Sequence, residues 1–240
     1  MGGMKNMKTV VRTALALIVM MAVWFVVLVG IWRGAAAMCV VGYLFLALKG
    51  ASALSTMLAF VFRPRLILML LRGRYAFEPS TFEGLLQALT RFGWEFVQTE
   101  VGYIFSLWHI VFGKEAQVAG LGGVTYVVSR SAELKGVSLG CFVNMWERRQ
   151  LSGNFAAWVT DRDRYGIYMH EYGHTVQSCL WGVLYLPVVG LISLLNVLYD
   201  RWFRRNTHEH IVVERKANRH GARYFSRRYG VDWDSRRNPL

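Results

Sequence analysis

The sequence predicts a mostly α-helical membrane protein with a small antiparallel β-sheet, built as an N-terminal transmembrane hairpin followed by a domain organised on a metal-binding helix. Three observations carry this. Residues 13–32 and 36–62 are two long apolar runs near the start of the chain. The stretch Tyr168–Val176 sets His170 and His174 four residues apart with Glu171 between them. Residues 117–145 are rich in β-branched side chains and punctuated by glycine. Composition agrees with a membrane setting: 54% of the 240 residues are hydrophobic and mean hydropathy is +0.29.

Residues 1–74 read as the hairpin. Thr13 to Trp32 is 20 residues without a charge, behind Lys5, Lys8 and Arg12, and spans about 30 Å of hydrocarbon as a helix. A cleaved signal peptide is the rival reading, but the run is long for one and a second apolar segment follows at once, which favours an anchor. Within residues 36–62, Lys49 would cost ~2.5–3.5 kcal/mol near the bilayer centre, so it must snorkel or face a partner helix. Positive charge flanks both outer ends (Arg63, Arg65, Arg72 and Arg74 on the far side), which places both termini in the cytoplasm.

Residues 75–115 carry two helical patterns, Phe82, Leu85, Leu86, Leu89 and then Trp94, Val97, Val101, Ile104, Phe105, Trp108. They read as amphipathic helices lying on the membrane or against the hairpin, with His109 interfacial. Residues 116–228 form the metal-site domain. Its strands are Val124–Val128 and Gly136–Met145, and Gln150–Arg164 is the loop into the metal helix. Residues 179–199 are 21 uncharged positions. A single crossing there would put His174 and Glu214 on opposite membrane faces, so the segment either re-enters or folds as a buried hairpin, with Pro187 and Gly190 breaking it near its middle. If no metal site exists, it reverts to a plain third span. Residues 229–240 are a charged tail.

On a helix, His170 and His174 project from one face and can grip one Zn²⁺, while Glu171 stands beside them, able to accept a proton from activated water but turned from ligation. A third ligand is needed, and Glu214 supplies it from a segment whose inward stripe is Glu214, Ala217, Asn218, Gly221 and Phe225. The small Ala217 and Gly221 let that helix approach the first one, where Gly173 is also small. Arg215, Arg219, Arg223 and Arg227 fall on its other side. Cys39, Cys141 and Cys179 are too widely spaced for a disulfide framework or a cysteine-type zinc site.

His170, Glu171 and His174 followed by Glu214, Ala217 and Asn218 resemble the HExxH…ExxA[DN] signature of the gluzincin zinc metallopeptidases. The layout over roughly residues 136–226 is similar to the membrane-embedded gluzincins, the heat-shock-type membrane protease and the CAAX prenyl endopeptidase. Asn218 stands where those families usually carry Asp. His170 to His174 and Trp94–Thr99 also resemble a branch of bacterial membrane proteins without a known substrate. The resemblance implies a peptidase with one zinc per chain on the cytoplasmic side of a bacterial inner membrane, ligands His170, His174 and Glu214, general base Glu171, and Asn218 orienting a ligand. It further implies that the strand before the metal helix offers a free edge to an extended protein or peptide substrate, for which Ser138, Leu139, Gly140, Cys141 and Phe142 are candidates. An ordinary paired strand is the equal alternative. His208, His210 and Tyr172 are the candidates for an oxyanion or other site contact.

Two other functions compete: a non-catalytic membrane protein that uses zinc to pin two helices, and a basic nucleic-acid binder. The first does not need Glu171. The second rests on the +13 charge and the arginine stripe alone; without a nucleic-acid motif, the anionic cytoplasmic leaflet is the better partner and no specific nucleic acid is expected.

Overall fold

The computed structural model describes residues 18–29, 36–79, 81–161, 165–203 and 211–233. His208 and His210 lie outside the described residues, as do the ends of the first apolar run and most of the charged tail. The helices are α1 (Ile18–Val29), α2 (Ala36–Phe62), α3 (Pro64–Arg74), α4 (Thr81–Leu89), α5 (Phe96–Phe112), α6 (Phe155–Val159), α7 (Tyr165–Trp181), α8 (Leu191–Phe203) and α9 (Val212–Tyr229). The strands are β1 (Gln117–Leu121), β2 (Val124–Arg130), β3 (Lys135–Leu139) and β4 (Phe142–Glu147).

The sheet is mixed, which corrects the antiparallel expectation. Its order is β1-β2-β4-β3, and β2 pairs parallel with β4 (Thr125 opposite Phe142, Val128 opposite Met145). The cause is visible in burial. Every residue of β2 but the last is buried, as are all of β4 but Trp146. Strands covered on both faces tolerate parallel pairing in a way that half-exposed strands seldom do. Val124, Tyr126, Val128, Val143 and Met145 pack towards Tyr168, Met169 and Phe225 of α7 and α9. Val127 and Phe142 pack on the other face against Tyr103, Leu107 and Ile110 of α5 and Ile67 and Leu70 of α3. The result is three layers, with the sheet between α3 and α5 on one side and α7 and α9 on the other.

The stretch Gly136–Met145 is two strands, not one. Gly140 takes φ +59° and makes, with Cys141, a two-residue turn between β3 and β4, the kind of hairpin that wants glycine at its first central position. Of these two, β3 lies at an edge of the sheet and β4 inside it.

α5 lies between the sheet and α2. Glu100, fully buried on α5, accepts hydrogen bonds from Lys49 Nζ (2.7 Å), Ser52 Oγ (2.5 Å) and Arg74. Lys49 therefore faces a partner helix, which is how an apolar helix carries it. Arg91, 2% exposed, donates to the carbonyls of Arg74, Ala76 and Gly123 and ties the α3–α4 connection to the β1–β2 turn.

Among the described residues, two helical runs are long and apolar enough to cross a membrane, Val40–Phe62 and Gly166–Tyr199. The second contains α7, which is packed inside the domain, and it is interrupted at Gly182, φ +52°. Trp94 sits against that glycine where a side chain would go. The expected break at Pro187 and Gly190 does not occur: Tyr185–Gly190 is a widened π-helical segment running straight into α8. The wide turn accommodates Pro187, which has no N–H to give and would crowd a regular helix. Leu191, Leu194, Leu195, Leu198 and Trp202 of α8 are all exposed.

Candidate metal centre

α7 and α9 are in close contact along their length because three small residues allow it. A Cβ on Gly173 would collide with the Ala217 carbonyl, and one on Gly221 with the Met169 carbonyl. This backbone-to-backbone approach brings Glu214, from the first turn of α9, onto the two imidazoles of α7. His170 Nε2, His174 Nε2 and Glu214 Oε2 are 3.0–3.1 Å from one another. All three residues are buried.

The outer nitrogens are held. His170 Nδ1 meets Asn218 Oδ1 at 2.6 Å and His174 Nδ1 meets Gln177 Oε1 at 2.8 Å. The Gln177 amide is oriented in turn by its donation to the Val213 carbonyl at 2.8 Å. An amide oxygen only accepts, so each Nδ1 carries the proton and each Nε2 presents a lone pair. Two lone pairs and a carboxylate oxygen then face one another in a buried cluster. Three acceptors repel unless a cation sits among them, and imidazole, imidazole and carboxylate is a donor set suited to zinc. The residues fit a divalent metal.

Glu171 is buried on the same helix and points at β3. Its Oε2 accepts from Ser138 Oγ at 2.5 Å. Ser138 and Leu139 lie on the edge strand. Gly140 and Cys141 form the turn, and Phe142 begins the interior strand β4, so these three are not edge residues. Burial pushes the Cys141 thiol up to about 11. In a two-residue hairpin the flanking pair Leu139 and Phe142 exchange hydrogen bonds, so by alternation the main-chain groups of Gly136 and Ser138 turn outward.

Tyr172 turns away from the imidazoles: its hydroxyl donates to the Gly122 carbonyl (3.2 Å) and its ring stacks on Tyr224 at 4.1 Å. The tyrosine near the site is Tyr185. It is buried, its hydroxyl lies 3.5 Å from the Ser138 carbonyl, and it feels the charges of Glu171 and Glu214. Nothing local in the sequence marks it, because Gly182 decides where it points. Gln177 was also missed, though a glutamine three residues after the second histidine falls on the right helical face.

A second constellation is sealed. His109 Nε2 lies 2.6 Å from Ser129 Oγ and Nδ1 3.0 Å from Asn144 Oδ1. That has the connectivity of a hydrolase triad, but Ser129 is only 2% exposed. The adjoining cavity, about 280 Å³, is lined by His109, Trp146 and neighbouring aromatic residues and does not reach Ser129. The group is a buried polar tie between α5 and the sheet.

No family model, curated protein or solved structure matches this chain. The reading of the site rests on its own geometry.

Proposed function

We propose that the chain is a membrane-anchored zinc metallopeptidase, and the observation that carries this is the convergence of His170, His174 and Glu214 with Glu171 held just outside the ligand set. All three candidate ligand atoms lie within 4.8 Å of one another. Zinc, when bound there, supplies Lewis acidity, making water acidic near neutral pH and polarising a carbonyl. Glu171 takes the proton from water and returns it to the leaving amine. Asn218 and Gln177 keep both imidazoles in the ligating tautomer. The edge of β3 receives the substrate in extended form through the outward groups of Gly136 and Ser138. Tyr185, whose hydroxyl lies 3.5 Å from the Ser138 carbonyl, is the candidate to hydrogen-bond the carbonyl under attack. The apolar runs at residues 40–62 and 185–199 hold the domain to the membrane, with the metal centre on the cytoplasmic side.

A site that merely pins two helices has no use for Glu171. That supports hydrolysis over the structural alternative, and one substitution separates them. Glu171→Gln keeps zinc and loses cleavage of fluorescein-labelled casein by at least about a hundredfold, as removal of a general base does. A variant that cleaves like the wild type would sink the peptidase reading.

A further inference from the structure

Glu171 is not free to rotate. On one side it lies against the backbone of β3, where a Cβ on Gly136 would come 2.5–2.7 Å from its carboxyl and Cγ atoms. From the same strand, two residues along, Ser138 Oγ stands 2.5 Å from Oε2 and 2.9 Å from the Glu171 carbonyl. A hydroxyl has one proton, and an O–H···O⁻ contact of this length is the short, charge-assisted kind, so the proton goes to the carboxylate. Ser138 is itself buried, 8% exposed.

We propose that Ser138 is the positioning residue for Glu171: its hydroxyl holds Oε2 while Oε1 lies over the bare Cα of Gly136, and together these fix the orientation in which the carboxylate meets water. This rests on the peptidase reading of the site and adds to it a second role for β3. The same residue offers its main chain to substrate and its side chain to the general base, so substrate pairing and base alignment are set by one position of one strand. Gly136 is required for the same reason, since any side chain there displaces the carboxylate.

The test uses the full chain in detergent, loaded with Co²⁺, with Ser138→Ala, Ser138→Thr and Gly136→Ala beside the wild type and Glu171→Gln. The visible cobalt band responds to hydrogen bonding at the open ligand position, so the wild type and Glu171→Gln define its two limits. Ser138→Ala and Gly136→Ala should hold one cobalt per chain and shift towards Glu171→Gln, whereas Ser138→Thr should match the wild type. With labelled casein, Ser138→Ala should lower kcat about tenfold or more with KM unchanged, because a misaligned group costs turnover rather than binding. A Ser138→Ala spectrum and kcat equal to the wild type would overturn the proposal, as would loss of cobalt from that variant. Cobalt uptake without casein cleavage by the wild type would remove the peptidase reading alone, and the spectra would still decide Ser138. No cobalt uptake by any variant would remove both.

Discussion

At the scale of single residues, the ligand set was legible because each pair depends on helical spacing. His170 and His174 share a face whatever the fold, and Glu214 and Asn218 share one on another helix, but their meeting depends also on the close α7–α9 approach at Gly173 and Gly221. Gln177 was not legible, since its work depends on the Val213 carbonyl, brought in from α9. Asn218→Ala and Gln177→Ala should each weaken zinc binding about 10–100-fold, measured by competition with a chelator. A second residue-scale prediction concerns Glu95, which is 4% exposed. Burial pushes its pKa up to about 7, against the pull of Arg91 and a hydrogen bond from Ser178. The folded state then binds a proton between about pH 4.5 and 7 that the unfolded chain has lost. Its contribution to stability is present below 4.5, falls as pH rises through that window, and is level above it. The difference in Tm between Glu95→Gln and the wild type should therefore grow in favour of the variant from pH 5 to 7.5. A constant difference would show that Glu95 does not titrate there.

Elements were less legible than residues. The long helices could be placed from periodicity or apolar length, whereas α6 (Phe155–Val159) falls inside the stretch 150–164 that reads as a loop; the sheet's pairing could not be placed, because β2 and β4 are paired across β3 and no local pattern encodes that. The two-residue turn at Gly140 did leave a mark, a glycine inside an apolar run, and it was absorbed into a single strand because Gly136–Met145 is continuous in β-type residues. Likewise Pro187 looked like the breaker of the second apolar run, while the left-handed residue is Gly182, five positions earlier. Proline was accommodated by a wider turn, whereas the chain's course at Gly182 needs a residue without a Cβ. The α7–α9 contact was anticipated from Gly173, Ala217 and Gly221, and it gives the element-scale prediction. Gly173→Ala must push α9 away from α7, costing roughly 1–3 kcal/mol as overpacking does. Because Glu214 moves with α9, zinc should be lost together with stability. A variant that loses several degrees of Tm yet binds zinc like the wild type would mean the site does not depend on that approach.

At the scale of the whole molecule, charge and apolar surface have to be reconciled. The +13 charge suggested an anionic surface as partner, yet not all of it is available to one. Arg74 and Arg91 are buried, the first on Glu100 and the second on main-chain carbonyls. Meanwhile α2 exposes Val40, Tyr43, Leu54, Met57 and Val61, and α8 exposes Leu191, Leu194, Leu195, Leu198 and Trp202. A surface of that extent is what a bilayer covers. Lys49 and Glu100 make α2 part of the domain's packing rather than a detached anchor, so the metal centre is fixed relative to the apolar belt. All of this gains its functional meaning only if the cluster at the centre holds a metal. The direct measurement is zinc content of the full chain purified in detergent, wild type beside Glu214→Ala and Glu171→Gln. The account predicts about one zinc per chain in the wild type and in Glu171→Gln, and essentially none in Glu214→Ala, as expected for a three-ligand site that loses its carboxylate. Absence of zinc from the wild type, or an equal content in all three, would contradict it.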